Sequence, residues 1–132
     1  MPAPNSTLTL EVRDYECDLQ GIVNNAVYLN YLEHARHKLL QDLGLDFAEL
    51  HHQGFDLVVT RSEVDYLAPL ASGDRFQIKT RAGLLGRVRF EFQQQILRVD
   101  GLAILEARIV GTCLVKGGRP QLPEPIKKLF EN

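Results

Sequence analysis

Apolar and polar residues alternate near the start of the chain and then give way to a helical spacing. Residues 7–13 have the period of two that is typical of a half-buried strand. The residues expected on its inner side are Leu8, Leu10 and Val12. Residues 14–24 break the alternation and contain Gly21, so we expect a loop there. Asn24 and Asn25 are both good helix N-caps, and the choice between them stays open.

Residues 25–43 predict one long helix. Their apolar residues recur every three or four positions, as on the buried face of a helix. That face contains Tyr28, Leu29, Leu32, Ala35, Leu39, Leu40 and Leu43. Gly44 is a stop signal. At about 1.5 Å per residue the helix is about 28 Å long, which implies that it lies along a sheet.

The rest of the chain predicts four more strands and two short helices. The strands cover residues 56–67, 75–82, 87–99 and 102–116, and the helices cover residues 47–53 and 123–130, with Asp46 capping the first. In the third of these strands Val88, Phe90 and Phe92 are expected to face inward, followed by Leu97 and Val99. This change of apolar phase predicts a bulge between Gln94 and Leu97. Asp100-Gly101 predicts a tight hairpin.

Short turns between these strands favour an antiparallel sheet, and the long helix can cover one of its faces. The fold class is therefore α+β. The strands are long enough to leave sheet surface for a partner, so we expect a homo-oligomer.

Composition narrows the class of protein. The 132 residues fit one globular domain, residues 1–132, with 45% hydrophobic and 24% charged residues. A net charge of −2 argues against nucleic acid as a partner, and no apolar run is long enough to span a membrane. Two cysteines are too few for a disulfide scaffold, and the N-terminus lacks a secretory signal pattern. We therefore expect a cytoplasmic protein.

The loop before the long helix is where chemistry is expected. Asp18 lies seven residues before Asn25, at the mouth of the helix. The first turn of a helix exposes unpaired N–H groups, which can polarise a carbonyl oxygen as an oxyanion hole does. Gly21 permits close backbone approach. These residues fit an acyl-transfer site, and they fit equally a plain turn in which Asp18 is only a cap.

This stretch resembles the signature of the hotdog-fold thioesterases of the 4-hydroxybenzoyl-CoA thioesterase type. The matching residues are Asp18, Gly21, Val23 and Tyr28, followed by the helix. Residues 62–74 also resemble the second strand of that family and its turn. The loop is most similar to the plant acyl-lipid thioesterase and methylketone-synthase-2-like branch and its bacterial relatives.

The resemblance implies a hotdog fold, in which a curved antiparallel sheet wraps around one central helix, in a dimer or dimer of dimers with sites at the interface. It implies hydrolysis of a fatty acyl or 3-oxoacyl thioester of acyl carrier protein or coenzyme A. The catalytic Asp of the family falls on Asp18, as general base or nucleophile, and its oxyanion N–H falls near Asn25. One bacterial subfamily has His where Asn25 stands, so no His-assisted mechanism is expected here. No metal or organic cofactor is expected, and a plastid stroma also fits this branch.

Further residues are candidates for binding substrate. The resemblance puts Gly21, Val23 and Tyr28 beside the thioester and brings Ser62 or Glu63 to it from the facing subunit. Alternatively, Glu63 pairs with a cross-strand arginine such as Arg61 or Arg81. Arg87 and Arg89, on one strand face, could hold coenzyme A phosphates or the acidic surface of acyl carrier protein.

Competing readings involve other residues or other functions. Cys17 is a possible nucleophile beside the helix mouth, although buried packing is its commoner role. His34 and His37 have a spacing seen in metal sites, but no third ligand accompanies them. A hotdog dehydratase would need a His, and the loop before the helix has none. A non-catalytic protein that binds acyl thioesters is the other alternative.

Overall fold

The computed structural model of the protein describes residues 4–131, and within them six strands form one antiparallel sheet. The strands are β1 (Asn5–Glu11), β2 (Phe55–Tyr66), β3 (Arg75–Leu85), β4 (Arg89–Arg98), β5 (Ala103–Val115) and β6 (Pro120–Gln121). Their order across the sheet is β1-β3-β4-β5-β2. The two-residue β6, which the sequence analysis missed, pairs with β5 beyond the point where β4 begins.

Three α-helices accompany the sheet: α1 (Asn25–Asp42), α2 (Phe47–His52) and α3 (Glu124–Phe130). A short 3-10 helix, Asp14–Glu16, begins the segment that was predicted as a loop. α1 packs on one face of the sheet, in the α+β hotdog arrangement that was predicted. Asn24 caps its start, because its side-chain oxygen accepts the Ala26 N–H at 2.9 Å. Gly44 ends it with φ of +92°, a left-handed conformation that glycine adopts without strain. None of the helices within residues 4–131 combines the length and hydropathy needed to cross a bilayer.

The buried face of α1 differs from the predicted one at its flanks. Leu29 and Leu43 were expected inside, but they are 42% and 38% exposed. Leu43 lies after the last helical turn, and Leu29 packs into neither of the hydrophobic clusters of the core. Tyr31 and Arg36 are buried instead.

Two hydrophobic clusters divide the core along α1. The first surrounds Tyr28 and Leu32 and includes Phe76 and Ile78 from β3. The second surrounds Leu39 and Leu40 and extends through the sheet residues Phe90, Phe92 and Ile109 to Phe130 of α3. The rings of Phe90 and Phe130 stack at 4.5 Å, so α3 closes the end of the core that lies farthest from the start of α1.

The structure corrects two predictions for β4: the residue at which the strand begins and the residues that point inward. β4 begins at Arg89, so Arg87 and the 39%-exposed Val88 lie in the turn after β3. Arg87 and Arg89 therefore do not share a strand face. The predicted bulge is confirmed between Ile96 and Leu97, but Gln94 keeps the inward phase as a buried polar residue. Val99 lies outside β4 and is 62% exposed, so its predicted inward position is wrong.

Candidate active site

The loop between β1 and α1 folds back on itself as a tight turn. Cys17 and Val23 pair as an antiparallel bridge. Within the turn, the Asp18 N–H donates to the Ile22 carbonyl at 2.9 Å, and the Gly21 N–H donates to the Asp18 carbonyl at 3.0 Å. Gly21 has φ of +80°, which explains why glycine stands there. The backbone of Asp18 is therefore held from both sides.

Hydrogen bonds tie this turn to the start of α1. The Val23 N–H donates to the Leu70 carbonyl at 2.8 Å, and the Asn24 N–H donates to the Glu16 carbonyl at 3.1 Å. Since Asn24 is also the N-cap of α1, the turn and the first helical residues form one connected unit. Asp18 thus lies at the helix mouth, as the spacing predicted.

The carboxylate of Asp18 is half-buried and forms an Asx-type contact. Its Oδ1 accepts the Gln20 N–H at 2.9 Å, and no lysine, arginine or histidine among residues 4–131 forms an ion pair with it. The pKa of the Tyr28 phenol is raised mainly by burial, and the charge of Asp18 adds to the increase. The contribution of Asp18 to this pKa is the smallest, after those of Cys17 and Tyr66.

Asn25 supplies a free backbone donor at the same place. It is the first residue of α1, and its side chain is exposed. The neighbouring Ala26 N–H is taken by the Asn24 side chain, whereas the Asn25 N–H has no acceptor among residues 4–131. An unpaired N–H at the positive end of a helix dipole is suited to an anionic oxygen.

A hollow of about 270 Å³ opens beside this donor. Its walls come from the loop, the first turn of α1 and the segment after β2: Ile22, Val23, Asn25, Tyr28, Tyr66, Leu67, Ala68 and Pro69. The structure thus brings together three of the predicted site residues, namely Val23, Asn25 and Tyr28. Most of the lining is apolar, which suits an acyl group rather than a sugar or a nucleotide.

Tyr28 anchors the wall of the hollow, and Tyr66 covers it. The Tyr28 hydroxyl accepts the Leu70 N–H at 3.0 Å. Its ring meets that of Tyr66 edge-on, with the centroids 5.7 Å apart. The Tyr66 hydroxyl lies 3.4 Å from the Asn25 carbonyl oxygen, to which it donates. Sequence reasoning missed Tyr66 as a site residue, because the end of a strand carries no signal for the helix end that it will meet.

Glu16 is a second residue that the sequence analysis missed. Its carboxylate accepts the Tyr31 hydroxyl and the Arg13 N–H, both at 2.8 Å. Burial and this carboxylate together raise the pKa of Tyr31. Glu16 therefore ties the loop to the second turn of α1 and helps to hold the mouth in shape.

Ser62 and Glu63 lie on opposite faces of β2. Ser62 pairs with Ile109, a core residue under α1, so it lies on the face that carries the helix. On the other face, Glu63 contacts Arg61 Nη2 at 2.7 Å and Arg108 Nη1 at 3.8 Å. The alternative pairing with Arg61 is confirmed, although Arg61 is on the same strand, and the cross-strand partner is Arg108 rather than Arg81. Neither Ser62 nor Glu63 lines the hollow within one chain.

Arg87 and Arg89 are exposed at the far end of the sheet from Asp18. The loop of Asp18 is anchored near the start of β3, and both arginines follow the end of that strand. At about 3.3 Å per residue, the length of β3 separates them from the loop by about 33 Å. One chain alone therefore does not bring these arginines to the hollow.

The residues considered as alternatives to Asp18 lie in other environments. The Cys17 side chain is partly buried against the first hydrophobic cluster. Cys113 is fully buried, which raises the pKa of its thiol. Among residues 4–131, no group of three or more His, Cys, Asp or Glu side chains is placed to hold a metal ion. Asp18 therefore stays the candidate carboxylate: its turn is hydrogen-bonded to the start of α1, while its own side chain lies outside the lining of the hollow.

Comparisons with known proteins identify the family of the chain. The sequence profile described as the thioesterase-like superfamily matches residues 12–130. A chloroplastic acyl-acyl carrier protein thioesterase of Arabidopsis thaliana is 38% identical over 93% of this chain and 66% of its own length. This chain therefore spans slightly less than two thirds of that plant relative. A putative esterase of Aquifex aeolicus is 31% identical over 92% of this chain and 94% of its own length.

Solved structures show the same fold. The crystal structure of a 1,4-dihydroxy-2-naphthoyl-CoA thioesterase from Synechocystis superposes with a TM-score of 0.88, at 20% identity, over 96% of this chain and 95% of that one. A hypothetical protein from Aquifex aeolicus gives the same TM-score at 25% identity, over 96% and 99% of the two chains.

Proposed function

The chain belongs to the thioesterase-like superfamily of hotdog proteins, and on that premise we propose that it hydrolyses acyl thioesters. The substrate class is a fatty acyl or 3-oxoacyl group carried by acyl carrier protein or coenzyme A. One observation carries this proposal. The turn that carries Asp18 is hydrogen-bonded to the start of α1, where the Asn25 N–H is unpaired.

The reaction follows from these two groups. The thioester carbonyl oxygen accepts the Asn25 N–H, which polarises the carbonyl carbon. Asp18 takes a proton from a water molecule while the water oxygen attacks that carbon, and the helix end stabilises the oxyanion that forms. As the oxyanion collapses, the C–S bond breaks, the protonated Asp18 gives its proton to the departing sulfur, and the thiol and the carboxylic acid leave. Direct attack by the Asp18 carboxylate, through a mixed anhydride, would use the same geometry.

Free-thiol release from a panel of acyl-CoA and acyl-carrier-protein thioesters tests the role of Asp18. We expect Asp18→Asn to reduce kcat by about a hundredfold or more, because it removes the base or nucleophile. Its amide oxygen can still accept the Gln20 N–H, so the turn is retained. Asp42→Asn, which changes an exposed carboxylate at the other end of α1, is the matched control and should keep wild-type activity.

Two results would contradict the proposal. Equal turnover by Asp18→Asn and wild type would exclude Asp18 and direct attention to Cys17 and Glu63. Tight binding of acyl thioesters by the wild type without turnover of any of them would favour a non-catalytic binding protein.

We further propose that the protein is a homodimer joined along β2. This edge strand is 12 residues long, whereas the other edge, β1, has 7. Val59, Tyr66 and the adjoining Leu67 are 51%, 49% and 52% exposed along it. A long edge with exposed apolar side chains is a surface that proteins normally cover. Because Ser62 and Glu63 lie on β2, a second copy on this edge would bring its own Ser62 and Glu63 to the interface.

A further inference from the structure

A buried cation interrupts the apolar face of α1. The Arg36 residue is only 8% exposed, and it lies four residues after Leu32 and four before Leu40, both of which are buried. No carboxylate among residues 4–131 forms an ion pair with it. Burial lowers the pKa of Arg36, and the nearby charge of Glu33 opposes this. A buried charge without a counter-ion is costly, and such groups are frequent in binding sites.

One hydrogen bond orients the guanidinium. Gln94 Nε2 donates to the Leu32 carbonyl and to Thr80 Oγ1, each at 3.0 Å, which leaves Gln94 Oε1 facing Arg36. Arg36 Nη1 donates to that oxygen at 3.0 Å. A guanidinium has five N–H donors, and the structure records no other hydrogen bond from Arg36 to residues 4–131. None of its nitrogens is both buried and without a partner, so the remaining donors reach open space.

That space is a hollow of about 380 Å³ between α1, α2 and the sheet. Most of its wall is aliphatic or aromatic, and includes Leu40, Phe47, Leu57, Phe90 and Phe92. The Phe92 ring lies under the guanidinium, with its centroid 5.9 Å from Cζ. Glu33 and His37 also line the hollow. An apolar cavity with one fixed cation has the composition of a site for an amphipathic ligand.

The Arg36 hollow and the mouth at Asn25 lie along one seam between α1 and β2. At one end of the seam Tyr66 of β2 meets Asn25. At the other end Val58 and Val59 of β2 share the hollow with Arg36. Arg36 comes eleven residues after Asn25, which is about 16 Å along the helix axis. Ser62 lies on the helix-side face of β2 between the two ends.

We propose that the Arg36 hollow receives the far end of the acyl group and that Arg36 selects acyl groups whose far end carries a carboxylate. This inference rests on the proposed thioesterase function, because the thioester itself stays at the Asn25 mouth. A carboxylate can accept two parallel N–H groups of a guanidinium and neutralise its charge. A methyl end would displace water from the free guanidinium donors and offer them no acceptor.

Matched pairs of acyl-CoA thioesters test this preference. Each saturated chain from hexanoyl to tetradecanoyl is compared with its ω-carboxy counterpart. At the best chain length, we expect the wild-type kcat/KM to be about ten- to a hundredfold higher for the ω-carboxy substrate. Arg36→Met should abolish this ratio by lowering the value for the ω-carboxy substrate alone, and Arg36→Lys should restore part of it.

The ratio of the two kcat/KM values within a pair distinguishes selection of the ω-carboxylate by Arg36 from a purely structural role of Arg36. If Arg36 only stabilises the core, Arg36→Met lowers kcat/KM for both members of a pair equally, and the inference is wrong. Arg119→Met, at an exposed arginine outside the hollow, should leave the ratio unchanged. A wild type that hydrolyses both members equally overturns the inference but leaves the thioesterase proposal intact. If the wild type hydrolyses neither, the thioesterase proposal fails, and the ratio of dissociation constants for the same pairs decides the role of Arg36.

Discussion

Asn24, rather than Asn25, caps α1, and this determines which backbone donor is left for a ligand. The Asn24 side chain occupies the Ala26 N–H, so the free donor is the one that immediately follows the cap. Two adjacent asparagines look equivalent in the sequence, because either could cap. The outcome depends on the Asn24 N–H bonding to Glu16, which is a contact with the preceding loop.

Sequence reasoning reached part of the site at this scale. The Asp18–Gly21 turn and the helix start could be predicted because their partners lie within a few residues of one another. Tyr66 and Gln94 could not, since their contacts with Asn25 and Arg36 join positions 41 and 58 residues apart. The sequence analysis did not single out Arg36, because nothing local shows that this charged residue is buried.

A single ion pair makes a pH-dependent contribution to stability. His51 Nδ1 lies 2.6 Å from Asp56 Oδ1, and this hydrogen bond raises the pKa of His51 above its unfolded value of about 6.5. A raised pKa stabilises the fold at pH below the unfolded value, and the contribution disappears as pH rises through the folded pKa. We therefore expect His51→Gln to lower Tm at about pH 5 and to leave it unchanged at about pH 9.

The neighbouring His52 provides the control for this measurement. It is exposed on the same helix and forms no ion pair among residues 4–131. Thermal melts of His52→Gln should show no such dependence on pH. A Tm loss for His51→Gln that is equal at both pH values would show that the ion pair is not its cause.

At the scale of elements, the apolar periodicity predicted the type and extent of the helices and strands more accurately than the packing between them. The alternation of β3 is confirmed, with Phe76, Ile78 and Thr80 all buried. The helix was predicted over 25–43 and is observed over Asn25–Asp42. The error at Leu29 arose because the helical period gives the width of an apolar face but not which part of it the sheet covers. Gln94 shows the same limit, since a polar residue at an inward-facing position of a strand looks like an interruption of the apolar alternation.

β2 and β4 lie so close to Gly111 of β5 that there is no room for a side chain at this position. A Cβ at Gly111 would lie 2.6 Å from the Val58 carbonyl oxygen and 2.6 Å from a ring carbon of Phe90. We expect Gly111→Ala to destabilise the protein by about 1–3 kcal/mol through this overpacking, as measured by urea unfolding. In contrast, Gly83 on β3 has no atom within 4 Å of its Cβ position, and Gly83→Ala should stay within about 0.5 kcal/mol of wild type. Equal losses in the two variants would mean that steric contact is not what keeps glycine at position 111.

At the scale of the whole molecule, both hollows open along the seam between α1 and the exposed β2 edge. A second copy on that edge would cover the seam and exclude water from it, which strengthens the interactions of Asp18 and Arg36. Dimer formation and catalysis are therefore expected to be coupled.

A charge on the edge strand tests the interface. Val59→Lys puts an ammonium group on it, and we expect this variant to raise the dimer dissociation constant by about tenfold or more. The measurement is molar mass by light scattering across a concentration series. Val99→Lys changes a comparably exposed valine in the hairpin after β4 and should behave as wild type. If Val59→Lys remains as dimeric as Val99→Lys, the interface lies elsewhere.

The tyrosines gathered around the helix mouth have a spectroscopic consequence. The chain contains four tyrosines and no tryptophan. Tyr28, Tyr31 and Tyr66 form a chain of ring contacts at the mouth, and Tyr15 lies in the loop that leads to it. Near-ultraviolet emission from the protein therefore originates at this end of the molecule alone. Arrival of an acyl group can be followed by intrinsic fluorescence, without a label, on the native sequence.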